Sequence, residues 1–139
     1  MAKVVIDANV IISAAFGGNP LRAVMRAMED DKVYLSLEIE RELTGVFSKL
    51  SKKLTREQIL FLTQRMRELV KMATLVSVST RVVLSRDTTD DHYLALCKEV
   101  EADFLITGDK DLLSIPAKAL KETGIACRII TPEEFVKEV

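Results

Sequence analysis

Residues 3–7 read Lys3-Val4-Val5-Ile6-Asp7, three β-branched residues in succession ending in an acid. An apolar run without polar alternation predicts a parallel strand covered on both faces. The same form returns at Asp103-Phe104-Leu105-Ile106-Thr107, with Asp109 two residues on. Lys32–Leu35, Thr74–Val78 and Ala126–Ile130 supply three further strands, and the stretches between carry helical periodicity. Ser36 caps a helix whose Ile39, Leu43, Val46, Phe47 and Leu50 form one apolar stripe. Thr55 with Gln58 makes a capping box for a helix bearing Ile59, Leu62, Met66, Leu69 and Val70. After the Gly17-Gly18 loop, Asn19-Pro20 predicts an N-cap and first helical position, Thr88 or Thr89 opens a helix through Tyr93, Leu94 and Cys97, and Thr131-Pro132-Glu133-Glu134 opens the last helix. Strands alternating with helices imply a five-stranded parallel sheet in a three-layer α/β/α sandwich. At 139 residues the chain suits a single domain over 1–139, with no linker or repeat.

Composition narrows the function. Nearly half the residues (48%) are apolar and 29% charged, which excludes a disordered chain, while 5% aromatic disfavours a base-stacking platform. No apolar run reaches the length of a membrane span and no secretory pattern opens the chain, so a cytoplasmic location is expected. Cys97 and Cys127 lie in apolar surroundings and read as buried thiols; Met25, Met28, Met66 and Met72 read as core filling. A net charge of −1 provides no global field for nucleic acid, so any affinity for it must be local or carried by metal.

In open parallel sheets, sites form beyond the carboxyl ends of the strands where strand order reverses. Asp7 and Asp109 fall there, and neither is needed as a turn residue. Asp91 lies in the first turn of its helix, where the macrodipole favours a carboxylate. Glu42 and Glu40 flank the apolar stripe on opposite sides at similar angles, so periodicity leaves both open. Asn9 is expected to brace the loop after the first strand. His92 is the only histidine; in a helix's first turn beside two acids it is expected to face solvent.

The segments VVIDANVIIS, LTGVF with its Glu, DDHYLALC and LITGDKDL together resemble the PIN domain family, in order and over nearly the whole chain. Within the family the chain is most similar to the VapC group, toxins of toxin–antitoxin pairs. The resemblance matches the family's four acids to Asp7, Glu42, Asp91 and Asp109, with Asp111 a fifth candidate and Asp90 sharing the place of Asp91. It also implies a small hydroxyl residue near the acids, for which Thr107 and Ser13 are the candidates. It implies a homodimer, an antitoxin partner, and RNA cleavage leaving a 5′-phosphate and a 3′-hydroxyl.

Four converging carboxylates repel one another by ~1–4 kcal/mol per close pair and need a cation. Oxygen donors without Cys or an expected His favour Mg²⁺ or Mn²⁺. The expected chemistry is hydrolysis by a metal-activated water, with Asp7 and Asp109 as direct ligands and Glu42 and Asp91 acting through water or orienting the nucleophile. Lys49, Lys52, Lys53, Arg56, Arg86 and Lys110 are candidate phosphate contacts. An RNA-processing nuclease outside a toxin system and a non-catalytic PIN-like binding module are the alternatives. An Asp-nucleophile phosphatase would need an acid where Asn9 stands, a receiver domain an Asp closing the third strand, and a P-loop protein its glycine-rich signature; all three are lacking.

Overall fold

The computed structural model describes residues 1–84 and 88–138. Its strands β1 (Lys3–Ile6), β2 (Lys32–Ser36), β3 (Thr74–Val76), β4 (Phe104–Ile106) and β5 (Arg128–Ile130) form one sheet ordered β3-β2-β1-β4-β5, with every neighbouring pair parallel. Flanking it are α1 (Ala8–Ser13), α2 (Gly18–Asp30), α3 (Leu37–Leu50), α4 (Arg56–Met72), α5 (Asp91–Val100), α6 (Lys110–Leu113), α7 (Ala117–Glu122) and α8 (Pro132–Lys137). This is the expected α/β/α arrangement. Because the chain leaves β1 for β2 on one side and later returns to β4 on the other, the order reverses between β1 and β4. A crevice opens beyond their carboxyl ends.

The unbroken apolar runs explain why these two strands sit centrally: Val4, Val5, Ile6, Leu105 and Ile106 are completely buried. The edge strand β3 leaves Leu75 half exposed. Local caps follow the sequence. The Ser36 hydroxyl accepts from the Ile39 N–H, and both capping boxes, Thr55 with Gln58 and Thr131 with Glu134, are formed. Arg26 on α2 donates to the carbonyls of Phe135 and Val136 at 2.9 and 2.7 Å, tying α2 to α8. Cys97 and Cys127 are free and buried, as expected. Among the described residues no helix is long and apolar enough to cross a membrane.

Several local expectations are corrected. The stretch after Asp7 is helix rather than loop, because the Asp7 carboxylate caps it and Val10, Ile11 and Ile12 are buried by it. Helix α2 begins at Gly18, with Gly17 at φ 86° as the N-cap in place of Asn19. That left-handed conformation suits a residue without Cβ. Pro20 falls inside the first turn, where its missing N–H has no partner to lose. Strand β3 stops at Val76, two residues early. Met25 and Met72 are 37% and 59% exposed rather than core, whereas Met28 and Met66 pack against it.

Leu105→Ala, in the fully buried centre of β4, is expected to cost about 2–5 kcal/mol in a urea titration. Leu60→Ala, on the exposed face of α4, is expected to stay within about 0.5 kcal/mol.

Candidate active site

Asp7 follows β1 directly, and its N–H donates to the Ile106 carbonyl at 2.9 Å, so its backbone continues the sheet. Its side chain is only 3% exposed. A carboxylate so far from water needs donors, and three surround it. The Asn9 N–H donates to Oδ1 at 2.9 Å, the Tyr93 hydroxyl lies 3.2 Å from the same oxygen, and the Thr107 hydroxyl donates to Oδ2 at 2.7 Å. Thr107, fully buried just past β4, also accepts from the Asp109 N–H at 3.0 Å. Asp109 in turn caps α6, taking the Asp111 N–H at 2.8 Å. Two strand–Asp–helix junctions thus stand side by side, joined through one hydroxyl. Asp7 and Asp109 line a cavity of about 550 Å³ with Asn9, Ser13, Asn19 and Glu133, and among the described residues no Lys or Arg lines it.

Glu42, on α3, reaches this centre through α5. Its Oε2 accepts from the Tyr93 hydroxyl at 2.8 Å and its Oε1 meets His92 Nε2. The Ala8 N–H donates to the Tyr93 oxygen at 3.0 Å, which fixes that hydroxyl between Asp7 and Glu42. Burial would raise the Glu42 carboxyl, but the hydrogen bonds from His92 and Tyr93 and the charge of His92 outweigh it and hold the group below its ordinary value. Burial first, and then the negative charge of Asp7 and the contact with Glu42, push the Tyr93 hydroxyl far above its ordinary value. It therefore stays protonated and can donate.

The PIN domain family model matches residues 3–111, a span that contains Asp7, Glu42, Asp91 and Asp109. The chain belongs to the PIN domain family. Among solved structures, VapBC2 from Rickettsia felis bound to a DNA fragment from its promoter is similar to this PIN domain, with a TM-score of 0.60 and 10% identity over 93% of this chain and 98% of the other. A domain of a functionally unknown protein from Methanocaldococcus jannaschii is also similar, with a TM-score of 0.54 and 16% identity over 93% and 91% of the two chains. At such identities the likeness is one of fold. No curated protein matches the sequence.

Within this PIN domain the predicted site residues separate. Asp7, Asp109 and Glu42 join one hydrogen-bonded network, with Thr107 as the hydroxyl that touches the acids. Ser13 is exposed and lines the cavity from the end of α1. Glu42, not Glu40, turns toward Asp7; Glu40 lines a separate apolar groove with Phe47 and Met66. Asp91 is buried at the start of α5, accepts from the Leu84 N–H at 3.2 Å, and lines a different cavity with Glu38, Arg81 and His92. Asp111 contributes its backbone N–H to Asp109 and is not among the residues lining the Asp7 cavity.

Other expectations change. Asp7 and Asp109 both act as helix caps, contrary to the reading that neither is needed in a turn. Asn9 braces Asp7 through its backbone rather than through a loop-forming side chain. His92 does not face solvent; its side chain is 19% exposed and pairs with Glu42. Among the described residues no three of the His, Cys, Asp and Glu side chains converge into a ready-made metal cage. Lys49, Lys52, Lys53, Arg56 and Lys110 do not line the Asp7 cavity, and Arg86 lies outside the described residues. Sequence reasoning missed Tyr93, counted there as an apolar helix residue. The available signal was chemical, since a buried Tyr hydroxyl requires a partner.

Thr107→Val is expected to lower stability by about 1–3 kcal/mol in a urea titration, because it strands an Asp7 oxygen and the Asp109 N–H. Thr107→Ser, which retains the hydroxyl, is expected to lose less; equal losses would assign the effect to packing alone.

Proposed function

We propose that this PIN domain, spanning 1–139, is a metal-dependent endoribonuclease and the toxin of a toxin–antitoxin pair. The observation that carries the reading is the juxtaposition of Asp7 and Asp109 at the ends of adjacent central strands, tied by Thr107 and facing one open cavity. The donor set is oxygen, which suits Mg²⁺ or Mn²⁺. Mg²⁺ ordinarily keeps several waters and binds through one or two carboxylates plus substrate phosphates, so the lack of a closed cage among the described residues fits this ion. Asp7 and Asp109 are the residues that would hold it.

When bound, a divalent ion supplies the charge that offsets the acids and the phosphate and activates the attacking water. The chain supplies rigidity and orientation. Asp7 is fixed by donors from three segments, and Asp109 is fixed as a helix cap. Glu42 and Asp91 act through water or orient the nucleophile, with Asp111 and Asn9 in support and Ser13 toward the substrate side. The product ends would be a 5′-phosphate and a 3′-hydroxyl, as the family pattern implies. An antitoxin partner draws support from the likeness to VapBC2, and a homodimer and a cytoplasmic setting complete the proposal.

Purified protein incubated with labelled single-stranded and structured RNA is expected to cut in Mg²⁺ or Mn²⁺, to stop in EDTA, and to fall to background as Asp7→Asn. Absence of cutting in either metal, by protein that also fails to bind Mn²⁺, would overturn the nuclease in favour of a binding module.

A further inference from the structure

We infer that His92 and Tyr93 form a clamp on Glu42, and that both are positioning residues for the acid pair; the inference rests on the reading of Asp7 and Asp109 as the metal-holding acids. Glu42 is not an open carboxylate. One oxygen is taken by the Tyr93 hydroxyl at 2.8 Å and the other by His92 Nε2. Two consecutive residues of α5 hold the two ends of one group, which fixes its rotation as well as its position. The two rings are themselves in contact, with centroids 4.1 Å apart, and Tyr93 is 1% exposed.

The Tyr93 hydroxyl has one proton and two carboxylate neighbours. Its oxygen accepts from the Ala8 N–H at 3.0 Å, and the Glu42 oxygen at 2.8 Å is closer than the Asp7 oxygen at 3.2 Å. The one proton is shared between the two carboxylates, nearer to Glu42 than to Asp7, so the two acids compete for it. Positive charge placed on the far side of Asp7 relieves that competition. Glu42 and Asp7 are in this way coupled through one atom: whatever binds Asp7 is felt at Glu42, and loss of the hydroxyl both frees Glu42 and removes a fixed neighbour of Asp7. Partners that orient metal-holding carboxylates typically change metal affinity or activity by ~10–100-fold when removed.

The test titrates Mn²⁺ into wild type, Tyr93→Phe, His92→Gln, His92→Leu and Asp7→Asn, following the free-ion signal by electron paramagnetic resonance, with thermal unfolding and RNA-cleavage kinetics recorded alongside. Folded Tyr93→Phe is expected to bind Mn²⁺ roughly 10–100-fold more weakly and to lose kcat with little change in KM. His92→Gln, which can still donate to Glu42, is expected to keep most of the affinity that His92→Leu loses. A folded Tyr93→Phe with wild-type affinity and kcat would overturn the clamp. If Tyr93→Phe does not fold, the histidine pair decides: a difference between Gln and Leu supports the clamp, and equal behaviour overturns it. Wild type that binds Mn²⁺ no better than Asp7→Asn would instead remove the metal reading itself, and the clamp with it.

Discussion

The Asp7 carboxylate is a charge almost wholly withdrawn from water, and the site is organised around supplying it with donors. An unpaired buried carboxylate costs several kcal/mol even after relaxation. Here the donors come from the first turn of α1, the third residue of α5 and the residue after β4. Each is held by its own element: the Asn9 N–H by helix formation, Thr107 by its backbone bond to Ile130, and Tyr93 by complete burial of its ring. The requirement to satisfy one buried acid therefore fixes the mutual position of β1, β4 and α5. The same contacts that stabilise the junction also aim its functional groups.

Electrostatics explains the rest of the arrangement. Asp7, Asp109 and Glu133 line a cavity that no basic side chain among the described residues lines, and the whole chain carries a charge of −1. A polyanion entering that space meets repulsion from the protein itself, of about 1 to 4 kcal/mol for each close pair of charges. Long-range steering is weak for the same reason. On the proposed nuclease reading, affinity for a phosphate backbone would be made at short range, by a cation seated against the acids and by basic groups outside the cavity wall. Burial of Asp7 with its donors keeps the first of these requirements compact.

The sheet was legible because its signal is additive: Val4-Val5-Ile6 and Phe104-Leu105-Ile106 announce central strands, and Ser36, Thr55 and Thr131 announce helix starts by side-chain chemistry that acts within three residues. Asp7 and Asp109 were legible by position, at the ends of those strands. What escaped the sequence was geometry of short range in space and long range in chain. Helix α1 has six residues, too few to display a period, and its N-cap is the acid that had been set aside for another role. Periodicity left Glu40 and Glu42 open, and only the family resemblance chose Glu42, whose turn toward α5 no local pattern displays. Tyr93 and His92 looked like one core residue and one surface residue, because nothing local reveals that Glu42, some fifty positions earlier, turns toward both.

The hydrogen bond from Thr107 to Asp7 spans 100 residues of chain, and that from Tyr93 to Asp7 spans 86. During synthesis at ~5–20 residues per second, Asp7 therefore precedes its partners by roughly 5–20 s. Parallel pairing of β1 with β4 adds further delay, since contacts between distant segments form slowly. Throughout that interval the emerging chain carries one of the two strand-end acids and lacks the other, so the centre comes into being only as the sheet closes. The pairing of the two acids arrives with the completed fold.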